Sequence, residues 1–142
     1  MTRTTVNIRV FLVIVSILFS CRNQPETTSF DTAKLMILDN NCSSLVMAIS
    51  TNRPLIAQVD PWDRSTLLHI ACASSPNIEI VGILLKAGAV PNALNDVGRS
   101  SLHNAYIFSV SDKLTTPVVD LLLSHGAKRE IKDNYVKTLA LP

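Results

Sequence analysis

Apolar residues recur at helical spacing along much of the chain and form one unbroken run near its start. Leu68, Ala71 and Cys72 fall at i, i+3 and i+4, a spacing that predicts the buried face of a helix. Aliphatic stripes predict two further helices, with Ile80, Val81, Leu84 and Leu85 buried in one and Val118, Val119, Leu122 and Leu123 in the other. Shorter patterns predict helices at residues 33–38 and 43–50, a cap at Ser43 or Ser44, and a helix start at Pro54.

Two blocks of this pattern repeat in the same order. Residues 66–71, TLLHIA, return at 100–105 as SSLHNA, an offset of 34. Residues 81–89 return at 119–127, an offset of 38, so four extra residues separate the two blocks in the second copy. They fall within residues 105–117, which either lengthen a helix or form a loop. Such a period indicates stacked units that bury their apolar faces against one another.

These blocks resemble the ankyrin repeat, whose pattern runs D-x-x-G-x-T-P-L-H-x-A and then a second helix ending in L-L-x-x-G-A. The resemblance covers about residues 60–139. It implies an all-α fold, a short solenoid of helix-turn-helix units joined by β-hairpins, with two full units and partial terminal units. The chain departs from the pattern at Arg64 and Val136, where the family has Gly, and at Leu67 and Ser101, where it has Pro; Gly98 keeps the turn glycine.

The resemblance also assigns structural roles to six positions. The Thr or Ser of the motif caps the first helix, the His steadies adjacent hairpins through backbone hydrogen bonds, and the Gly closes the second helix. Those positions are Thr66 and Ser100, His69 and His103, and Gly88 and Gly126.

The unbroken apolar run predicts a leader. Residues 10–19 follow a basic start with Arg3 and Arg9, and the run is shorter than the ~20 residues of a membrane-spanning helix, which favours a secretory signal peptide. Residues 18–21 resemble a bacterial lipobox, although Phe19 replaces the usual small residue. This resemblance implies acylation of Cys21 and an exported protein anchored to lipid in the bacterial cell envelope. Plain secretion to the periplasm and an uncleaved anchor are the alternatives.

The chain therefore divides into a leader, a tether and a repeat domain. We expect a signal peptide at 1–20, the lipidated Cys21 with a polar tether at 21–33, and an ankyrin-repeat domain at 34–142. The domain divides into a degenerate cap at 34–60, repeats at about 61–94 and 95–132, and a partial unit at 133–142. Since stacks need roughly three units, we expect marginal stability or support from a partner.

The charge balance and the motifs present in the sequence limit the classes of function that we expect. The chain has 13 basic and 11 acidic residues, and without Arg3 and Arg9 the two signs balance, which disfavours nucleic-acid binding. It has no motif for a nucleotide or an activated serine, and no third ligand clusters with its His residues to hold zinc. We therefore expect no catalytic residues, cofactor, metal or small-molecule substrate. Cys42 and Cys72 are interpreted as small buried residues, with their pairing left open.

The resemblance implies a membrane-tethered module that binds a protein through its hairpin tips and the exposed side of the first helix. The tip positions are Trp62, Asp63 and Ser65, then Asp96, Val97 and Arg99, then Asn134, Tyr135 and Lys137. Trp62, Arg99 and Tyr135 are the strongest candidates, since these residue types dominate interface hot spots. Alternatively, Trp62 folds over the cap and Tyr135 over the end of the stack. The partner's identity stays open, as does the choice between a scaffold and an immunity-like inhibitor of a periplasmic toxin or envelope enzyme; an enzyme is the third alternative.

Overall fold

The computed structural model describes residues 29–74, 77–109 and 116–132. This part of the chain is mostly helical and contains three consecutive helix pairs: α1 Phe30–Leu38 with α2 Cys42–Thr51, α3 Leu67–Ser74 with α4 Ile78–Lys86, and α5 Ser101–Ser109 with α6 Thr116–Ser124. A short 3₁₀ helix, Arg53–Ala57, follows α2 and has Pro54 in its first turn. None of the described helices has the length and apolar character needed to cross a membrane.

Helix α1 begins earlier than the apolar pattern predicts. The Ser29 hydroxyl caps it by accepting a hydrogen bond from the Thr32 backbone N–H at 3.3 Å, and both Phe30 and Ala33 are buried. Residues 30–33, assigned to the tether from the sequence, are therefore part of the first helix. The pattern missed this start because Phe30 stands alone among polar residues.

The turns inside the first two helix pairs are built from asparagines. Asn41, rather than Ser43 or Ser44, caps α2, since its Oδ1 accepts a hydrogen bond from the Ser44 N–H at 3.0 Å. Asn40 adopts the left-handed conformation, φ 53°, which Asn tolerates better than most residues. Its Oδ1 accepts from Nδ2 of Asn77, the cap of α4, at 3.1 Å. The N-terminal ends of α2 and α4 therefore lie side by side.

The helices contact one another in sequence order. The first helices pack as α1 on α3 on α5, and the second helices as α2 on α4 on α6. The shared core is aliphatic, and its fully buried residues include Leu45, Leu68, Leu84, Leu102 and Leu122. Ala71 and Ala105 are buried in α3 and α5, where their small side chains let neighbouring helices approach closely. Each pair therefore buries its apolar side against the next pair.

The same turn closes α4 and α6. The N–H groups of Gly88 and Gly126 donate to the carbonyls of Leu85 and Leu123 at 3.0 Å. Both glycines have positive φ, 99° and 86°. Carbonyls that would otherwise be left unpaired at the helix end are satisfied this way.

The loops between helix pairs are turns rather than sheet hairpins. Val59 and Thr66 form an isolated antiparallel bridge, and the described residues contain no strand. Asp60 N–H donates to the Ser65 carbonyl at 2.8 Å, and Asn95 N–H donates to the Arg99 carbonyl at 3.0 Å. Each loop thus folds back on itself. Helix α5 continues to Ser109, and residues 110–115 of the insertion lie outside the described residues.

Candidate functional site

His69 connects the start of α3 to the following loop. Its Nδ1 accepts a hydrogen bond from the Thr66 N–H at 3.2 Å and lies 2.8 Å from Thr66 Oγ1. Because a backbone N–H can only donate, Nδ1 is the acceptor, and the proton is on Nε2, which donates to the Arg99 carbonyl at 3.0 Å. Burial lowers the pKa of His69, against the raising effect of the Arg99 carbonyl. The neutral imidazole therefore connects two successive units through its hydrogen bonds to Thr66 and Arg99.

The other histidines also have local partners. His103 repeats the arrangement of His69, with Nδ1 accepting from the Ser100 N–H at 3.2 Å and lying 2.9 Å from Ser100 Oγ. His125 is exposed, and its Nδ1 lies 2.9 Å from the Leu121 carbonyl at the end of α6. Among the described residues, no three His, Cys, Asp or Glu side chains come together as a metal site would require.

Trp62 projects into solvent from the first loop. Its side chain is 90% exposed, while its N–H is held by Oδ1 of Asp60 at 2.9 Å. Asp60 is itself buried, and its Oδ2 accepts from Lys34 Nζ at 2.9 Å. The hydrogen bond from Lys34, and then the one from the Trp62 N–H, lower the pKa of Asp60. An ion pair between the buried Asp60 and the half-buried Lys34 thus anchors the loop, and the alternative in which Trp62 folds over the cap does not occur.

Ser65 holds the first loop rather than presenting a contact. It is only 6% exposed, and its N–H and hydroxyl both donate to the Asp63 carboxylate at 2.9 Å. The expectation of an exposed Ser65 at the tip is therefore wrong. Asp63 is exposed, and its carbonyl accepts from the Asp96 N–H of the next loop at 2.9 Å. The two loops are bound to one another.

The second loop is organised by Asn95, which is not one of the predicted tip residues. Its Oδ1 accepts from the N–H groups of Val97 at 3.2 Å and Arg99 at 2.9 Å. Asp96 is exposed, whereas Val97 and Arg99 are half-buried. The third set of predicted tip residues, Asn134, Tyr135 and Lys137, lies outside the described residues.

A groove of about 390 Å³ lies between the loops and the first helices. Four predicted tip residues line it: Asp63, Ser65, Val97 and Arg99. The helices add residues that sequence reasoning did not name, among them Lys34 from α1, Ile70 from α3 and Asn104 from α5. We call this surface, together with Trp62, the tip groove. Residues from two loops and three helices therefore line one recess.

The two cysteines in the described part of the chain are thiols without an activating environment. Cys42 and Cys72 are both free. Burial raises the pKa of the Cys72 thiol to about 12, and burial followed by the neighbouring Glu79 carboxylate raises the pKa of Cys42. Both groups are therefore protonated thiols near neutral pH, and thiols are poor nucleophiles.

Comparison with known proteins agrees with this geometry. Residues 63–96, which include the second half of the first loop, α3 and α4, match the family model described as Ankyrin repeat. The match supports an ankyrin-repeat protein. The chain is also 32% identical over 120 residues to a fowlpox virus (strain NVSL) protein named for ankyrin repeats, FPV031, an alignment covering 84% of this chain and 34% of that protein. The chain thus spans about a third of this relative. Ankyrin repeats imply a protein–protein interaction module, typically without enzymatic activity.

Proposed function

We propose that this protein is a membrane-tethered interaction module whose partner protein binds the tip groove. The observation that carries the proposal is Trp62, which is 90% exposed on an anchored loop. An exposed Trp normally has an unfavourable contact with water, and burying it in a partner removes that contact. Because the loop is already ordered by Asp60, binding incurs little additional loss of conformational entropy.

The groove offers a second set of contacts beside the Trp62 ring. Ile70 and Val97 provide apolar groups in it, and Lys34, Asp63 and Arg99 provide charged groups of both signs. Lys34 is held in place by Asp60, so its aliphatic stem and ammonium are presented in one geometry. A protein segment that combines apolar side chains with charged ones fits this lining.

We propose further that the helix pairs form a short ankyrin solenoid with two full units. The recurring order of helix contacts along the chain and the repeated closing turn at Gly88 and Gly126 support this assignment. Residues 30–57 then serve as the leading cap, since a 3₁₀ helix, Arg53–Ala57, separates this helix pair from the Trp62 loop that begins the next unit.

Binding to the tip groove is tested by comparing variants in a partner capture. The protein and its Trp62→Ala variant are cross-linked to envelope extracts, and the captured partner is quantified by mass spectrometry. Loss of a central Trp contact costs about 2 kcal/mol, so we expect roughly thirtyfold weaker recovery. Val90→Ala is the matched control, because Val90 is 62% exposed but does not line the groove. Equal recovery with Trp62→Ala and Val90→Ala would refute the proposal, and one stoichiometric enzyme partner would favour an inhibitor.

The tether is tested separately by intact-mass analysis of the membrane fraction. The proposal expects cleavage before Cys21 and an added diacylglycerol mass at that residue. The Cys21→Ser variant should then leave the membrane fraction. An unmodified Cys21 still joined to residues 1–20 contradicts the tether and leaves the tip-groove proposal untouched.

A further inference from the structure

A second groove lies on the side of the molecule formed by the second helices. It has a volume of about 420 Å³ and lies between α2 and α4. Its lining includes Val46, Ile49, Arg53, Ile83 and Lys86, none of which belongs to the tip groove. We call it the second-helix groove.

The floor of the second-helix groove is apolar. Val46, in the middle of α2, is 43% exposed. Ile83 is half-buried and packs against the core, and Ile49 is buried at 8% exposure. The groove therefore exposes aliphatic surface that a partner side chain can cover.

One end of the groove is positively charged. Lys86 is the last residue of α4, and Arg53 begins the 3₁₀ helix just after α2. Because the caps of α2 and α4 lie side by side through Asn40 and Asn77, these cations share the opposite end. The ion pairs in the described part of the chain join Lys34 to Asp60 and Arg64 to Asp96, and include neither groove cation.

The carboxylate of α4 does not neutralise this end. Glu79 lies in the first turn of α4, close to Cys42, at the N-terminal end of the groove. Positive charge at helix C-termini is itself favourable, through the helix dipole. That effect accounts for the placement of Lys86 at the end of α4 and leaves its charge available to an anion in solution.

We propose that the second-helix groove binds an acidic amphipathic helix of a partner protein. A concave apolar floor receives protruding Leu or Ile side chains at i, i+3 and i+4, as in other helix-in-groove interfaces. Carboxylates on the flank of that helix meet Arg53 and Lys86. A flat bilayer surface fits this shape less well, because it does not enter a recess between two helices. This contact is independent of the tip groove.

Two synthetic helical peptides test the proposal. They share one apolar stripe and differ only in the flanking residues, which are Glu in one peptide and Lys in the other. Each carries a fluorophore and is titrated by anisotropy into the full chain fused to a soluble carrier protein. The Glu peptide should bind at least about tenfold more tightly than the Lys peptide, and the difference should shrink with added salt.

Variants locate the binding site. Arg53→Glu with Lys86→Glu should abolish the preference for the Glu peptide, whereas Val46→Ser should weaken both peptides alike. Lys128→Glu with Arg129→Glu makes the same change in net charge at exposed residues of the last described turn and should leave the preference intact. Trp62→Ala should also leave it intact. Urea unfolding of each variant shows that it is folded.

Several results would overturn the inference. These are equal binding of the two peptides, an equal loss in both double charge variants, or loss of peptide binding in Trp62→Ala. In a last comparison, binding of the protein and its variants to phosphatidylglycerol vesicles is measured by sedimentation. If the Arg53 and Lys86 substitutions reduce vesicle binding but not peptide binding, the groove recognises lipid headgroups instead.

Discussion

Arg64 adopts the left-handed conformation, φ 55°, at the loop position where the ankyrin pattern has glycine. The next loop keeps that glycine, Gly98, with φ 72°. A side chain with a Cβ in this region costs about 1 kcal/mol or more, and glycine loses part of that gain through its freedom in the unfolded chain. We therefore expect Arg64→Gly to raise the free energy of unfolding by about 0.5 kcal/mol or more, measured by urea denaturation.

The control for that prediction is Arg64→Ala, which keeps the strain and removes only the charge. The Arg64 ion pair with Asp96 spans 3.9 Å between side chains that are 68% and 51% exposed, so it contributes little. Arg64→Ala should leave stability nearly unchanged. Equal effects of Ala and Gly would mean that backbone strain at this loop is negligible.

His69 gives the protein a predicted sensitivity to mild acid. Burial lowers the pKa of His69 from 6.5, so the unfolded chain takes up a proton that the folded protein does not. Stability from this residue is complete above pH 6.5 and falls as the pH decreases toward the lowered value, by at most about 1.4 kcal/mol per pH unit. Urea unfolding at pH 7.5 and 5.5 should show this loss, with a smaller difference in His69→Asn.

Asp60 acts in a separate pH window. Its pKa lies below 3.8, chiefly because Lys34 donates a hydrogen bond to it. The stability that this pair contributes is present above pH 3.8 and is lost as the pH falls through the lowered value. A pH dependence confined to values below 4 would therefore point to Asp60 and contradict the contribution expected from His69.

At the scale of a single element, two adjacent buried serines at the start of α5 differ in their hydrogen bonding. Ser100 Oγ lies 2.9 Å from Nδ1 of His103, whereas the buried Ser101 Oγ has no hydrogen-bond partner. Removing an unsatisfied buried hydroxyl is favourable, and removing a bonded one is not. In urea unfolding, Ser101→Ala should gain about 0.5 kcal/mol and Ser100→Ala should lose about 1 kcal/mol. Destabilisation by both substitutions to a similar extent would contradict this assignment.

The helices differ in how well the sequence predicts them. The aliphatic stripes of α4 and α6 are long enough to identify both helices, and the structure buries Ile80, Leu84, Val118 and Leu122. The start of α1 was missed because a lone Phe30 has no periodicity. The cap of α2 was misassigned, since serine and asparagine are comparable caps and only the structure distinguishes them.

The candidate site was predictable only in part. Motif spacing places Trp62 in a loop, and the structure shows it exposed. The burial of Ser65 follows from its two bonds to Asp63, which no periodicity encodes. The contributions of Lys34 and Asn104 to the tip groove depend on three helices lying side by side. Such contacts between distant positions require the packed structure.

At the scale of the whole molecule, Asn92 joins the last two helix pairs. Its Nδ2 donates to the Gly126 carbonyl at 2.8 Å, and its Oδ1 accepts from the Lys128 N–H at 2.8 Å. Each unit in such a stack is stabilised by its neighbours, so weakening one junction should release the units beyond it first. Asn92→Ala should therefore lower stability by about 1–2 kcal/mol.

Amide hydrogen exchange shows which helices lose stability in the Asn92→Ala variant. In Asn92→Ala, amides of α6 such as Leu122 and Leu123 should lose more protection than the amides of α1, because α6 lies beyond the broken junction. Asn92→Asp keeps the acceptor for the Lys128 N–H but places a carboxylate oxygen against the Gly126 carbonyl, so it should not restore the protection of α6. Uniform loss of protection across α1, α3 and α6 would instead indicate that the described helices unfold as a single cooperative unit in which this junction has no separate role.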